Sequence, residues 1–242
     1  MTTFGAGDEV FGSMGLKFGA YAEYVCVPEG PMVARKPANA TFEEAAALPY
    51  GGVSALHFLR QARLKAGDKV LIYGASGSVG TFAVQLAKHY GAHVTGVCSS
   101  ANSELVRSLG ADEVVDYTTE DFSRRGRIYD IVLDTVGKGG VWRSLRSLKR
   151  GGSYILTSSG LLSFGFAWVW CSITRAATLV GGMARAKPDD LCFLTALVEA
   201  GSLKAVIDRR YRLMEIAEAH RFVETGRKRG NVAIVIAENG EA

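Results

Sequence analysis

Cysteine and histidine are scarce in this chain, with four of each in 242 residues. Cys26, Cys98, Cys171 and Cys192 stand far apart, none in a C-x-x-C pair, and the histidines do not gather around them. That spacing argues against a structural metal site and against a disulfide framework, and for a reducing compartment such as the cytoplasm. Cys98, at the end of a predicted strand, reads as a small buried apolar group. A long uninterrupted apolar run is also missing. The most apolar stretch, residues 161–180, is broken by Arg175 and diluted by Ser163, Gly165, Ser172 and Thr174. It falls short of a membrane span and reads as a hydrophobic wall near a site, or as an interface. No signal-peptide pattern is read at the start. Neither sign of charge is in large excess: 28 Lys and Arg against 24 Asp and Glu leave +4, which does not by itself call for a nucleic-acid partner. The short basic runs Arg124-Arg125-Gly126-Arg127 and Arg227-Lys228-Arg229 read as solvated loops. Internal repeats, low-complexity segments, a Ser-His-Asp set and paired catalytic carboxylates are all lacking.

What the chain does have is a glycine-rich turn in a particular setting. Val70-Leu71-Ile72-Tyr73 reads as a buried strand, and Gly74-Ala75-Ser76-Gly77-Ser78-Val79-Gly80 follows at once. Val79, Phe82, Ala83, Leu86, Ala87 and Tyr90 then recur at helical spacing, and Gly91 is placed to end the helix. Strand, tight turn and helix open a dinucleotide-binding βαβ unit. Free N–H groups at a helix N-terminus favour a pyrophosphate, and glycine lets the phosphate approach the backbone closely. The spacing is Ala75-x-Gly77-x-x-Gly80, so alanine takes the place of the usual first glycine. The alternative is a glycine turn in another doubly wound protein, such as one binding a mononucleotide.

Around this unit the pattern alternates. Val10-Phe11 and residues 21–27 have strand character, punctuated by glycines and by Pro28, Pro31 and Pro37. Thr41-Phe42-Glu43-Glu44 forms a capping box for a helix that Pro49 and Gly51-Gly52 break, and residues 53–62 resume as a second helix. Further strands are expected at residues 93–97, 113–116, 129–134, 153–157 and 177–180, with helices at 102–109 and 141–148 between them. Strands and helices alternating at this pitch predict an α/β fold with a parallel, doubly wound sheet. A helix over 188–200, a strand over 206–211, a helix with Leu213, Ile216, Ala217, His220 and Val223 on one face, and a strand over 232–236 complete the chain. On that face His220 reads as a packing residue.

The residues after the second strand bear on the cofactor. An NAD site carries an acidic residue about 20 positions past the fingerprint to hold the ribose hydroxyls. Here Val97 is followed by Cys98-Ser99-Ser100-Ala101-Asn102, with no carboxylate until Glu104. A carboxylate there would repel a 2′-phosphate, whereas serine hydroxyls donate hydrogen bonds to it, which favours NADP(H). Ser99 and Ser100 equally suit caps of the following helix.

By these residues the chain resembles the medium-chain dehydrogenase/reductase superfamily, on its zinc-free, quinone oxidoreductase-like (zeta-crystallin-like) side. Gly7-Asp8-Glu9-Val10-Phe11-Gly12, Gly19-Ala20-Tyr21-Ala22-Glu23-Tyr24 and Leu64-Lys65-Ala66-Gly67-Asp68-Lys69-Val70-Leu71-Ile72 carry the likeness in order. Leu109-Gly110-Ala111-Asp112, Val115-Asp116-Tyr117 and Gly230-Asn231-Val232-Ala233-Ile234 extend it to the far end. The resemblance implies a GroES-like β domain joined to a Rossmann domain, with NADPH in the cleft between them and hydride transfer to a quinone or an α,β-unsaturated carbonyl. On this reading residues 1–40 are a remnant of the GroES-like domain, 41–203 the Rossmann domain, and 204–242 a return to the first. Ala75, Ser76, Gly77, Ser78, Val79 and Gly80 would form the cofactor-binding turn, the pyrophosphate meeting the backbone at Ser76 to Val79. Ser99, Ser100, Asn102 and Tyr117 would surround the 2′-phosphate. Ser54, Val136, Gly137, Ser159 and Gly160 would lie by the nicotinamide, and Asn231 near the cleft. Hydride transfer needs no protein nucleophile, but it needs a donor to the developing oxyanion; Ser54 or Tyr50, by position, is either such a donor or a packing residue beside the cofactor.

Two departures follow from the same resemblance. Asn102, uncharged, stands where many relatives grip the 2′-phosphate with a lysine, so NADH is expected to be less excluded. The relatives also begin well before the Gly-Asp-Glu-Val motif, so the GroES-like part is expected to be incomplete, and a zinc site is not read from these residues. An alternative reading is therefore a shortened isoform that binds NADP(H), turns over little and serves as an interaction module. Relatives commonly pair edge strands of their Rossmann sheets, which makes a homodimer through residues 177–180 the expected assembly.

Overall fold

The computed structural model describes residues 4–157, 171, 176–187 and 189–236. By contact the chain divides into two compact units, residues 1–54 with 185–242 and residues 55–184. The first unit thus takes in residues 41–54 and 185–203, which sequence pattern alone groups with the central sheet.

The first unit opens with β1 (Val10–Gly12) paired antiparallel to β2 (Val33–Arg35), Phe11 opposite Ala34. Residues 21–27 are not the strand their sequence suggests; they run exposed through bends and irregular backbone. A strand needs a hydrogen-bonded neighbour for its N–H and C=O groups, and no strand among the described residues pairs with this one. Its apolar side chains instead line an open hollow of about 780 Å³, together with β1 and β2: Phe11, Phe18, Tyr21, Val25, Val27 and Val33.

Helix α1 (Phe42–Ala47) starts on the expected capping box. The Glu44 N–H donates to the Thr41 hydroxyl at 3.3 Å, and the Thr41 N–H donates to the Glu44 carboxylate at 2.9 Å. Pro49 does not break the chain of helix. Leu48–Gly52 is one turn of π-helix that leads directly into α2 (Val53–Gln61), and the Val53 N–H reaches back five residues to the Leu48 carbonyl. Pro49 stands in the first turn of this segment, where a missing N–H is tolerated.

The second unit is the parallel sheet the alternating pattern predicts. Its strands are β3 (Lys69–Tyr73), β4 (His93–Cys98), β5 (Glu113–Asp116), β6 (Tyr129–Asp134), β7 (Leu148–Leu156) and β8 (Ala177–Gly181). They lie side by side in the order β5-β4-β3-β6-β7-β8, all parallel. Helix α3 (Ser78–His89) packs on β3 and β4, α4 (Ser103–Ser108) on β4 and β5, and α5 (Val141–Ser147) on β6 and β7. Strands covered on both faces are buried along nearly their whole length, as β3, β4 and β6 are, and this is why they read as continuous apolar runs. Leu71, Val97, Val132, Phe122, Tyr129 and Tyr154 fill one side of the sheet. Of the apolar stretch 161–180, only Cys171, which is buried, and residues 176–180 fall within the described residues. Among the described residues no helix is long and apolar enough to cross a membrane.

The chain returns to the first unit through α6 (Asp190–Glu199), β9 (Ile207–Arg212), α7 (Ile216–Glu224) and β10 (Asn231–Val235), with β9 and β10 parallel neighbours. His220 is not on the inner face of α7. It is exposed, edge-on to the Tyr21 ring at 6.0 Å between centroids, and Ala219 is the buried residue. The helix is turned so that Ile216, Ala219 and Phe222 face inward, and Phe222 carries the Arg209 guanidinium over its ring at 3.8 Å.

One ionic cluster ties α3 to the edge of the sheet. The Asp112 carboxylate accepts from Lys88 Nζ at 2.8 Å and from the Val94 N–H at 2.7 Å, and His93 Nδ1 lies 3.0 Å away. Partial burial alone would raise this carboxyl. The hydrogen bonds from Lys88, Val94 and His93 outweigh it and hold Asp112 well below the usual carboxylate range. A depressed folded-state pKa contributes stability that is whole above the unfolded value of about 4 and drains away as the pH falls toward the folded one. Asp112→Asn should therefore cost about 1 kcal/mol at pH 7, and the gap to the parent should narrow below about pH 4. Urea unfolding at a series of pH values measures both; a gap that stays constant to low pH contradicts this account.

Candidate functional site

The sheet order makes β3 the strand from which the chain builds in both directions, with β4 on one side and β6 on the other. The crevice outside the carboxyl ends of such a pair is where α/β sheets receive ligands. β3 and β6 end in register, Tyr73 opposite Asp134, so the glycine turn and the loop after β6 emerge side by side.

The chain leaves β3 at Gly74 in the left-handed region, φ +80°, and a side chain there would run into Val136 and Thr135. The Gly74 and Ala75 N–H groups both donate to the Val97 carbonyl of β4, at 3.0 and 3.1 Å, and the Gly77 N–H returns to the Gly74 carbonyl at 3.0 Å. Gly80 is required for close approach, since a Cβ there would run into that same carbonyl oxygen. Alanine is accommodated at position 75 because β4 carries Gly96 beneath it; the Ala75 methyl is fully buried. Helix α3 is capped by Gly77 with no side-chain hydrogen bond, so the Val79 and Gly80 N–H groups are left for an acceptor outside the helix. Ala75, Ser76, Gly77, Ser78, Val79 and Gly80 thus form one turn at the carboxyl edge.

A second group meets this turn. Asn102 Nδ2 donates to Ser76 Oγ at 3.1 Å and to Ser99 Oγ at 3.4 Å, which ties the turn to the end of β4. Each hydroxyl, having accepted, keeps its O–H to donate outward. The Tyr117 N–H donates to the Cys98 carbonyl at 3.1 Å, and its exposed ring lies 6.2 Å from that of Tyr73. β4 ends without a carboxylate, but the neighbouring β5 brings in Asp116, held below the usual carboxylate range by the Thr118 N–H, the Thr118 hydroxyl and Ser100. Ser100 therefore serves Asp116, while Ser99 and Asn102 face the turn.

The third group is the loop after β6. Thr135 Oγ1 donates to the Tyr73 carbonyl at 2.9 Å, and Val136 packs at Gly74 while remaining 43% exposed. Gly137 follows in the left-handed region, φ +76°. Asp134, fully buried, accepts N–H groups from this loop. Asp134 and Thr135 are not among the residues expected at the site; an acidic residue closing a buried strand before a small-residue turn is the signal that was available. Ser159 and Gly160 lie outside the described residues. Tyr50, Ser54 and Asn231 belong to the first unit. Tyr50 is 74% exposed on the π-helical turn, Ser54 is half-buried in the first turn of α2, and the Asn231 amide donates to the Val206 carbonyl at 3.2 Å. Among the described residues no three of His, Cys, Asp or Glu come together in a way that could hold a metal ion.

A parallel sheet with an uncapped helix N-terminus at its switch point defines a Rossmann-type α/β protein. Residues 109–234 match the family model described as zinc-binding dehydrogenase. The chain is 36% identical to a 2-methylene-furan-3-one reductase of Solanum lycopersicum, over 94% of its own length and 57% of that protein's. It is 36% identical to the mitochondrial NAD(P)H oxidoreductase RTN4IP1 of Mus musculus, over 96% of its length and 65% of that protein's. The solved structure of a quinone oxidoreductase from Coxiella burnetii superposes with a TM-score of 0.88 at 32% identity, covering 98% of this chain and 74% of that one. The chain belongs to the zinc-binding dehydrogenase family, within the quinone oxidoreductase-like part of the medium-chain dehydrogenase/reductase superfamily. It spans about three-fifths of the length of these two curated relatives.

The packing of the turn is open to test. Gly80→Ala should lower stability by about 1–3 kcal/mol in urea unfolding, because backbone must shift to admit the methyl. Gly77→Ala, whose Cβ would come no nearer than 3.4 Å to the Gly74 carbonyl oxygen, should cost less. Equal losses contradict the close-approach argument.

Proposed function

We propose that this chain binds NADP(H) at the glycine turn and passes a hydride to a quinone or an α,β-unsaturated carbonyl compound. The observation that carries the reading is the turn itself: first-turn N–H groups without a capping side chain, at the switch point of a parallel sheet. The reduced dinucleotide, when bound, supplies the hydride. The residues present fit it. The backbone of Ser76, Gly77, Ser78 and Val79 receives the pyrophosphate, and the bare Gly77 lets it come close. The hydroxyls of Ser76 and Ser99, oriented by Asn102, donate to a 2′-phosphate beside Tyr117. Val136 and Gly137 flank the nicotinamide side. The relatives named above point the same way, one reducing a methylene-furanone, one using NAD(P)H and one a quinone oxidoreductase.

Tyr50 and Ser54 are the hydroxyl donors for the oxyanion that forms on the acceptor. β8, unpaired on its outer side among the described residues, is the edge through which two copies pair, and the four free thiols suit the cytoplasm or another reducing compartment.

Titration by nicotinamide fluorescence should give tighter binding of NADPH than of NADH; an equal or reversed preference removes the 2′-phosphate argument. The same sample should turn over 9,10-phenanthrenequinone with NADPH. Tight binding without turnover would instead favour an interaction module. Ser54→Ala and Tyr50→Phe should bind NADPH as the parent does, and at least one should lower kcat by about 10- to 100-fold, the order expected for an oxyanion donor.

A further inference from the structure

We infer that Asp134 is a positioning residue for the nicotinamide half of the dinucleotide, holding the loop after β6 so that Val136 stands over the glycine turn. The inference rests on the NADP(H) reading above and goes beyond it.

Asp134 is the last residue of β6 and is fully buried. Among the described residues no lysine, arginine or histidine lies within ion-pair distance of its carboxylate. Three main-chain donors surround it instead, and the Tyr154 hydroxyl from β7 is a further hydrogen-bond partner. The Val136 N–H reaches Oδ1 at 3.0 Å, the Gly137 N–H reaches Oδ1 at 2.7 Å, and the Gly139 N–H reaches Oδ2 at 2.9 Å. A buried carboxylate without a cation is expensive, and it persists only where such convergent dipoles replace water. Here all three come from one loop, so the charge and the loop conformation hold each other in place. The fit is close on the outer side too, where a side chain at Gly139 would meet Oδ2 at 2.8 Å.

The strand has main-chain support of its own. β6 is held between β3 and β7, and its end is secured by main-chain bonds from Thr157 to the Asp134 carbonyl at 3.1 Å and from Thr135 to the Tyr73 carbonyl at 3.0 Å. What the three main-chain bonds to the side chain fix is the course of residues 136–139. That course seats the Val136 side chain against Gly74, with an apolar face left exposed at the mouth of the crevice. A rigid apolar face beside a phosphate-binding turn suits a flat ring held next to the diphosphate, and it offers nothing to the adenosine end gathered at Ser99, Asn102 and Tyr117.

The test compares two ligands on the full chain, NADPH and 2′,5′-ADP, which lacks the nicotinamide half. Asp134→Asn should weaken NADPH by about tenfold while leaving 2′,5′-ADP within about twofold of the parent. A loss of fold integrity would weaken both together, so the split separates positioning from structure. Val136→Ala keeps the carboxylate and its donors, and should show the same split with an unchanged melting temperature; it decides the matter where Asp134→Asn does not fold. Unchanged binding of both ligands, or parallel loss of both, in the folded variant overturns the inference. A parent that binds neither ligand overturns the NADP(H) reading, and the inference falls with it.

Discussion

The second unit depends on a contact that no side chain makes. The backbone of Gly80, in the first turn of α3, rests against the carbonyl of Gly74, where the chain has just left β3. Only a residue without Cβ permits that distance. Because the helix begins so close to the strand end, its first N–H groups open onto the carboxyl edge of the sheet. The same lack of a side chain at Gly74 makes room for Val136 and Thr135 from the neighbouring strand. Two absences of a methyl group thus bring three segments to one place: the turn, the end of β4 and the loop after β6.

The electrostatics of this region rely on main-chain dipoles and neutral donors more than on charged partners. Asp134 sits among N–H groups, Asp116 among the N–H and hydroxyl of Thr118 and Ser100, and the two serine hydroxyls at the turn are oriented by the amide of Asn102. Such groups are fixed by backbone and carry little conformational freedom, so they are preorganised for a ligand that brings its own negative charge. The charged cluster of Lys88, His93 and Asp112 lies at the opposite end of α3 and β4, where it secures the packing of helix on sheet.

Much of this was legible from residue order. The strands of the parallel sheet are buried on both faces and read as short apolar runs. The capping box at Thr41 is local chemistry and appears as expected. The misses turned on packing and hydrogen-bond partners that residue pattern does not show. Residues 21–27 have strand-like side chains but no neighbour strand among the described residues. Pro49 and its glycines look like a break and instead form a π-helical turn between two packed helices. His220 falls on the apolar side of a helical wheel, yet the Arg209–Phe222 contact accompanies a different inner face.

Sequence by itself determined the class of fold, the position of the glycine turn and the residues that line it, because periodicity and glycine spacing are local and each turn or helix end is decided within a few positions. Tertiary structure alone decided which carboxylates and hydroxyls face one another. Asp134 is 60 residues from the turn whose neighbouring loop it holds, and Asn102 is 26 from the serine it orients. Those pairings arise only when parallel strands, joined by long crossovers, are stacked in a particular order, and that order is set by burial of the whole sheet rather than by any short stretch of it.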